Sequence, residues 1–448
     1  MIIISDLLDR NCTPPAIDEF PKDLFSRTSR QHGAVLIHIF VTIYLFTALA
    51  MICDEYFVPA VERICHVLKI PHDIGGATFM ATATSSPELF VNIVGTFITE
   101  GDIGLGTIVG SAVFNILAVT ACCGFTTAVG GNKLKLDWWP LTRDSLIYGI
   151  SVCLLIIFLN NEKVEWYEAL ILVLVYIVYL MFLIFDKCIQ QFFKENFCQK
   201  CLSQNDSTAD NTAPKVNSDL ETSKKDETKD ETEEDNHFTL WKYPSEISKI
   251  RQAIWIITWP INCAFFLTVP HCEKVKSDKW IPVAFVMCIL WIGMLSYILS
   301  WMITVIGDTL RIPDSVMGIS FLAIGAGVPE AVSSIVVVKK GKGAMGISNS
   351  LGSNTFDILL CLGVPWLLKA TVVSTNKWVN INSSGLQYST VTLLVTLIAF
   401  YFALTCNKFK LDKWIGLYCL IIYILFVILA TLIELNVFFP VNSPTCGR

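Results

Sequence analysis

The sequence predicts an all-α integral membrane protein made of two fused, inverted repeats. Each repeat is expected to hold about five transmembrane helices, with broken helices at the membrane midplane. Two observations support this fold class. Of the 448 residues, 53% are hydrophobic and 16% are charged, whereas a soluble domain is about 25% charged. The first half of the chain also recurs in the second half, which indicates duplication and fusion of an ancestral unit.

The internal repeat aligns without gaps. Shifting residues 86–117 by 242 positions gives residues 328–359, and 11 of the 32 aligned positions are identical. A Pro-Glu pair near the start of the window and a Gly-Ser pair near its end both keep their register. Chance similarity between two apolar stretches would not preserve both pairs, so we interpret the match as a duplicated functional unit.

The first half is predicted to cover residues 33–185, with its copy of the repeat at about 73–124. Its apolar runs are close to the ~20 residues that a membrane crossing requires. Before it, residues 1–32 form a polar segment that we expect in the lumen or outside the cell, where Asn11 opens a glycosylation sequon. Two arginines ahead of the first apolar run favour the opposite orientation by local charge, and the sequence leaves both open.

Residues 186–250 are dominated by Lys, Glu, Asp, Ser and Thr. Such a composition buries too little apolar surface to fold, so we expect a disordered loop. Its lysines lie close to the flanking apolar runs, which predicts a cytoplasmic location. A solvated linker is the main interpretation, and a regulatory or calcium-sensing segment is the alternative.

The second half is predicted to cover residues 251–437, with its copy of the repeat at about 315–365 and a tail at 438–448. Counting every apolar run gives eleven crossings, which would make the two halves parallel. Inverted halves need an odd number of crossings between equivalent helices. The run at 252–270 is short and holds Pro260, so we expect it to lie along the membrane or dip into it, leaving ten crossings.

A cation site is predicted where each repeat places a proline and a glutamate inside an apolar run. Proline frees a backbone carbonyl, and a glutamate at membrane depth is costly unless it has a function. Carboxylate, hydroxyl and carbonyl oxygens are the ligands of Ca²⁺, and Na⁺ competes for the same oxygens. The backbone at Ala326 and Gly327 is expected to contribute carbonyls. The predicted ligands are Glu88, Glu330, Asp357, Asn115, Ser111, Ser353, Ser85, Thr84 and Asn354.

Three sequence motifs resemble the potassium-dependent sodium/calcium exchangers of the calcium/cation antiporter superfamily. They are Ser85-x-Pro87-Glu88-Leu89, the run Gly106–Asn115, and Gly352-Ser353-Asn354-x-Phe356-Asp357. The resemblance implies that the protein exchanges Na⁺ for Ca²⁺ together with K⁺, without a cofactor, a catalytic residue or a nucleic-acid partner. An aspartate at position 357 goes with potassium dependence in this family. The N-terminal motif Asn-Cys-Thr-Pro is most similar to the branch on intracellular, trans-Golgi and pigment-granule membranes, and the plasma membrane is the alternative.

The chain departs from the family pattern near the second glutamate. The family usually has Thr-Ser where this chain has Ala326-Gly327, and aspartate where it has Glu330. A transport-impaired homologue is therefore one alternative interpretation. A calcium/proton exchanger and a cation channel are two others, which sodium-gradient dependence and saturation would separate from the exchanger. An enzyme is not expected, because the sequence has no nucleotide loop and no hydrolase motif.

Overall fold

The computed structural model describes residues 16–68, 81–99, 103–129, 134–185, 249–270, 280–339, 343–381 and 385–438. The predicted glycosylation site at Asn11, most of the predicted loop at 186–250 and nearly all of the tail lie outside these residues. Contacts divide the chain into two units, residues 1–181 with 265–448, and residues 182–264. The elements that carry the predicted site belong to the first unit.

The first half consists of long apolar helices and two short strands. Their bounds are α1 (Arg27–Val67), α2 (Ala81–Thr84), α3 (Ser86–Phe97), α4 (Ile103–Ala128), β1 (Leu134–Lys135), α5 (Trp138–Leu159), β2 (Lys163–Glu165) and α6 (Trp166–Ile184). A short 3₁₀ turn, Ala16–Glu19, precedes α1. Helix α7 (Lys249–Thr268) begins in the smaller unit.

The second half repeats this order. Its elements are α8 (Ile281–Leu310), α9 (Ala323–Lys339), α10 (Gly343–Phe356), α11 (Gly363–Leu368), β3 (Trp378–Asn380), α12 (Gly385–Cys406), β4 (Lys410–Leu411) and α13 (Lys413–Glu434). Within the described residues, nine helices are long and apolar enough to cross a membrane. The protein is therefore a multi-pass integral membrane protein.

The two strand pairs show that the halves are inverted. Strand β1 pairs with β4, with Leu134 opposite Leu411, and β2 pairs with β3, with Val164 opposite Val379. Helix α5 separates β1 from β2 by 22 residues, about 33 Å at 1.5 Å per residue, and α12 separates β3 from β4 in the same way. The two pairs therefore lie on opposite sides of the membrane. Since β1 and β3 follow equivalent repeat helices, equivalent elements face opposite sides.

The same strand register determines on which sides of the membrane the first half ends and the second half begins. Helix α6 starts on the side of β2 and ends on the side of β1. Tracing back from β3 through the helices of the second repeat places the start of α8 on the side of β1 as well. The segment between α6 and α8 thus begins and ends on one side, as the prediction of ten crossings requires.

Aromatic pairs show that each repeat packs against the last helix of the other half. The rings of Phe114 in α4 and Tyr423 in α13 meet edge to face, with centroids 5.7 Å apart and planes at 78°. The equivalent pair, Phe356 in α10 and Tyr176 in α6, has centroids 5.6 Å apart and planes at 77°. The quadrupoles of aromatic rings make the edge-to-face arrangement favourable. The same type of aromatic contact therefore joins each repeat to the last helix of the other half.

The two proline positions differ in their backbone. In the first copy the helix is interrupted at Ser85, with φ −91° and ψ 11°, and α3 begins beside Pro87. In the second copy, α9 continues without a break through Pro329, which differs from the predicted break in both copies. Proline lacks the N–H that would bond four residues back, so the Gly325 carbonyl still loses its helical donor.

Wider helical turns occur at equivalent places in both repeats. A π-helical turn covers Phe114–Val119 within α4, and another, Asp357–Leu362, joins α10 to α11. π-turns are rare overall, and those that occur are often at functional sites. Each one begins at or beside a predicted ligand, Asn115 in the first repeat and Asp357 in the second.

Candidate ion site

The structure brings the three predicted carboxylates together. Glu88 lies in the first turn of α3 and is 2% exposed, and Asp357 is 1% exposed. Glu330 follows Pro329 inside α9, and both of its carboxylate oxygens are buried. Each carboxylate is close enough to the other two to interact electrostatically. Three like charges buried together repel one another, so the cluster favours bound cations.

Buried oxygens without hydrogen-bond partners concentrate in this cluster. In the described part of the chain they include Ser85 Oγ, Glu88 Oε2, Asn115 Oδ1, both carboxylate oxygens of Glu330, and Asp357 Oδ2. Leaving such a group unpaired costs about 1–3 kcal/mol, and more when it is charged. Cation coordination would satisfy all of these oxygens, and they are the hard oxygen ligands that Ca²⁺ and Na⁺ take.

Carboxylates alone do not complete the site. Among the residues that the structure describes, no three His, Cys, Asp or Glu side chains have the arrangement of a metal site. Neutral oxygens must therefore supply part of the coordination. Ser85 is fully buried beside Asp357, and Ser353 is 2% exposed beside Glu330.

The two equivalent serines Ser111 and Ser353 have the same local hydrogen bond. Ser111 Oγ donates to the Ile108 carbonyl at 3.2 Å, and Ser353 Oγ donates to the Ser350 carbonyl at 3.0 Å. Each hydroxyl proton is directed back along its own helix. The oxygen lone pairs are consequently left available to a cation.

Asn115 and Asn354 join the two repeats. Asn115 Nδ2 donates to Asn354 Oδ1 at 3.1 Å, and Asn354 Nδ2 donates to the Ala112 carbonyl at 3.3 Å. Ser350 Oγ also donates to the Asn115 carbonyl at 3.2 Å. Asn354 therefore bridges α10 to α4, whereas Asn115 keeps an unpartnered amide oxygen within the described structure.

Gly327 of the unusual Ala326-Gly327 pair has a packing explanation. A Cβ atom at Gly327 would overlap the ring of Phe114, and it would lie 3.3 Å from Asn115 Oδ1. The ring that pairs with Tyr423 thus occupies the space of a side chain at position 327. Ala326 and Thr84 both line a cavity of about 80 Å³ that reaches Glu330. Asp54 of α1 lines the same cavity.

Two residues that the sequence analysis did not identify hold the cluster in place. Asn92 lies four residues after Glu88, on the same face of α3, and its Nδ2 donates a short hydrogen bond to the Cys361 carbonyl. The Cys361 thiol lies 3.6 Å from Asp357 Oδ1. A Cβ at Gly104 would come within 2.6 Å of Asn92 Oδ1, so a glycine there lets α4 approach α3.

The chain is similar to known exchangers over nearly its whole length. The family model described as "Sodium/calcium exchanger protein" matches residues 38–185 and 280–432, more than half of the chain. The human sodium/potassium/calcium exchanger 4 is 35% identical, over 98% of this chain and 88% of the relative. The human sodium/potassium/calcium exchanger 5 is 34% identical, over 97% of this chain and 91% of the relative.

The solved structures of two exchangers align with this chain. An H⁺/Ca²⁺ exchanger, CAX, aligns with a TM-score of 0.54 at 10% identity, over 90% of this chain and 88% of that chain. A sodium-calcium exchanger, NCX_Mj, aligns with a TM-score of 0.46 at 18% identity, over 87% of this chain and 97% of that chain. The first of these supports the inverted-repeat membrane fold.

The family match covers both halves and omits the charged segment between them, in agreement with the repeat and the strand pairing. The resemblance to exchangers predicted from the motifs is confirmed by relatives that match almost end to end. The chain therefore belongs to the sodium/calcium exchanger family, whose members are membrane transporters and not enzymes.

Proposed function

We propose that the protein is a secondary antiporter that exchanges Na⁺ for Ca²⁺ together with K⁺ across a membrane. One observation carries this proposal, namely the cluster of buried, unpartnered oxygens on Glu88, Glu330 and Asp357. The names of the relatives, sodium/potassium/calcium exchangers, support the choice of ions. The predicted ligand set given above and the predicted domain limits are part of the same proposal.

Exchange follows from competition for shared oxygens. Ca²⁺ takes about six to eight oxygen ligands in a flexible geometry, and the same oxygens suit Na⁺. Glu88 and Glu330 balance the charge of one Ca²⁺ or of two Na⁺ ions. Because Ca²⁺ and Na⁺ require the same oxygens of Glu88 and Glu330, binding of one releases the other.

The third carboxylate explains why the site would bind K⁺ in addition to Ca²⁺. Asp357 and Asn115 stand at equivalent repeat positions, so the site is asymmetric by one charge. With Ca²⁺ balanced by the two glutamates, Asp357 leaves a surplus negative charge in a dry environment, which is costly. A bound K⁺ would neutralise it.

Inverted halves supply a route to alternating access. Equivalent elements face opposite sides of the membrane, so a rocking motion that closes one side opens the other around a fixed site. In this proposal the cavity lined by Asp54 and Glu330 is the path by which ions reach the carboxylates from one side. The equivalent movement in the other half would expose them to the opposite side.

Uptake of radiolabelled Ca²⁺ into sodium-loaded vesicles tests the proposal. We expect saturable uptake that requires the outward sodium gradient and rises with external K⁺. Uptake driven by a proton gradient without sodium would instead assign a calcium/proton exchanger. Flux that does not saturate and ignores the sodium gradient would assign a channel, and no flux from correctly inserted protein would assign a transport-impaired homologue.

A further inference from the structure

The helices that follow the two repeats carry equivalent buried faces. In α5 the buried positions include Asp144, Ser145, Tyr148 and Ser151. A shift of 245 residues places them on the buried Ser389, Thr390, Leu393 and Thr396 of α12. Helix α5 packs on α10 and the turn that starts at Asp357, whereas α12 packs on α4 and the turn that holds Asn115.

The buried faces of α5 and α12 differ at one central position, and the repeats on which they pack differ in charge at Asp357 and Asn115. The central residue of the α5 face is Tyr148, and its equivalent on the α12 face is Leu393. The helix that packs on the turn of Asp357 thus carries a phenol, whereas the helix that packs on the turn of Asn115 carries an aliphatic side chain. This matched difference indicates that Tyr148 serves the charged half of the site and not only the packing of α5.

The hydroxyl of Tyr148 makes no hydrogen bond in the described structure, and Tyr148 interacts with the Asp357 carboxylate. The residue is fully buried, and its hydroxyl has no hydrogen-bond partner within the described residues. Asp357 is near enough to act on it electrostatically. Asp357 Oδ1 is contacted by the Cys361 thiol, Asp357 Oδ2 has no hydrogen-bond partner in the described structure, and the buried Ser85 hydroxyl lies beside the carboxylate.

We propose that Tyr148 Oη, Asp357 Oδ2 and Ser85 Oγ are ligands of a separate subsite for a monovalent, weakly hydrated cation of the K⁺ type. This inference rests on the proposed exchange function and adds a ligand from outside the two repeats. One carboxylate with neutral oxygens matches a single positive charge. Neutral oxygens are also what K⁺ channels use in place of the hydration shell. The two glutamates remain for Ca²⁺ or Na⁺.

The acidic residue on α5 does not compete for this subsite. Asp144 lies one turn before Tyr148 on the same face, and it is paired with Arg143, whose Nε lies 2.8 Å from its Oδ1. Tyr176, also close to Asp357, has its ring against Phe356. Helix α5 thus carries two uncommitted neutral oxygens in the described structure, Ser145 Oγ and Tyr148 Oη, and Tyr148 interacts electrostatically with Asp357.

The test is a potassium titration of sodium-driven Ca²⁺ uptake in Tyr148→Phe. This variant keeps the ring and removes only the oxygen. We expect the half-saturating K⁺ concentration to rise about fivefold, the usual effect of losing one polar contact. The half-saturating Ca²⁺ concentration at saturating K⁺ should stay within about twofold of the parent, because the glutamates are untouched. The relative uptake with Rb⁺ and Cs⁺ in place of K⁺ should also change.

Tyr423→Phe is the matched control. Tyr423 lies on the uncharged side of the site, its ring packs on Phe114, and its hydroxyl has no partner in the described structure. Its removal should leave the potassium titration unchanged. If Tyr148→Phe does not reach the membrane, Tyr148→Leu, which copies Leu393, replaces it. K⁺-dependent thermal protection of the purified variant then gives the same half-saturating concentration without transport.

Two outcomes separate the inference from the function on which it rests. If Asp357→Asn still responds to K⁺ as the parent does, the proposed potassium role of Asp357 is wrong. If Asp357→Asn loses its potassium dependence while Tyr148→Phe keeps the parent's K⁺ titration and ion selectivity, only the role of Tyr148 is overturned. Adding Tyr148→Phe to Asp357→Asn should produce no further change in the response to K⁺.

Discussion

The side chains of Asn115 and Asn354 join the two repeats through a hydrogen bond of 3.1 Å. The bond connects α4 of the first half to α10 of the second, directly beside the carboxylate cluster. Asn354 extends the connection to the Ala112 carbonyl. Because both residues are buried, water cannot replace either bond.

Replacing Asn354 by Ala should destabilise the protein. The change leaves the amide of Asn115 and the Ala112 carbonyl without their partner, at a cost of about 1–3 kcal/mol for each buried group. Thermal denaturation in detergent measures the effect. Thr392→Ala is the control, because its hydroxyl makes a bond within its own exposed helix face. An Asn354→Ala protein as stable as that control would contradict the bridging role.

Glu88→Gln and Glu330→Gln should each abolish sodium-driven Ca²⁺ uptake while the protein still reaches the membrane. Each change removes one of the two charges that balance Ca²⁺, and a buried divalent ion with incomplete charge balance is strongly disfavoured. Surface labelling checks insertion, and vesicle uptake checks transport. Near-normal uptake in either variant would exclude that glutamate from the ion site.

Asp357→Asn should leave Ca²⁺ uptake largely independent of potassium. The first repeat has Asn115 at the position equivalent to Asp357, so the variant has asparagine in both repeats. The surplus negative charge of the site is thereby removed. Uptake with and without external K⁺, at a clamped membrane potential, measures the effect. If Ca²⁺ uptake by the variant still rises steeply with K⁺, potassium binds at another site.

Cysteine pairs at the two short strand pairings should label from opposite sides of a sealed vesicle. Lys135→Cys and Lys410→Cys occupy paired positions on one side, and Lys163→Cys and Asn380→Cys on the other. An impermeant maleimide in oriented vesicles should modify one pair and not the other. Labelling of both pairs from the same side would contradict the inverted arrangement.

Gly327→Ser should lower the amount of folded protein. The serine restores a hydroxyl common in the resembled family, but its Cβ overlaps the Phe114 ring. Overpacking typically costs about 1–3 kcal/mol. Combining the change with Phe114→Leu should recover part of the loss, and quantification of monodisperse protein by size-exclusion chromatography measures both. A single variant that folds as well as the parent would mean that the ring moves freely.

The sequence predicted the parts of the site that the duplication repeats. Glu88 and Glu330 recur at equivalent positions, and the Gly-Ser pair marks the helices that carry Asn115 and Asp357. Inversion was expected from the duplicated transporter-like halves, although a count of every apolar run gave the opposite parity, and the strand register confirms it.

What the sequence did not reveal depends on packing between elements. Asn92 and Cys361 meet through a hydrogen bond between α3 and the turn after α10, a contact with no fixed spacing along the chain. Tyr148 stands in an apolar run outside the repeats, where a tyrosine is an ordinary core residue. The unbroken path of α9 through Pro329 was also missed, because a membrane helix tolerates a proline when neighbouring groups satisfy the freed carbonyl.

The exchanged packing of the aromatic pairs has a consequence for the origin of the chain. Phe114 meets Tyr423 and Phe356 meets Tyr176, so the last helix of each half covers an aromatic side chain of the other half. A single half would leave that side chain exposed. Two copies inserted in opposite directions would cover it for each other, which is consistent with an ancestral homodimer that gene fusion later joined.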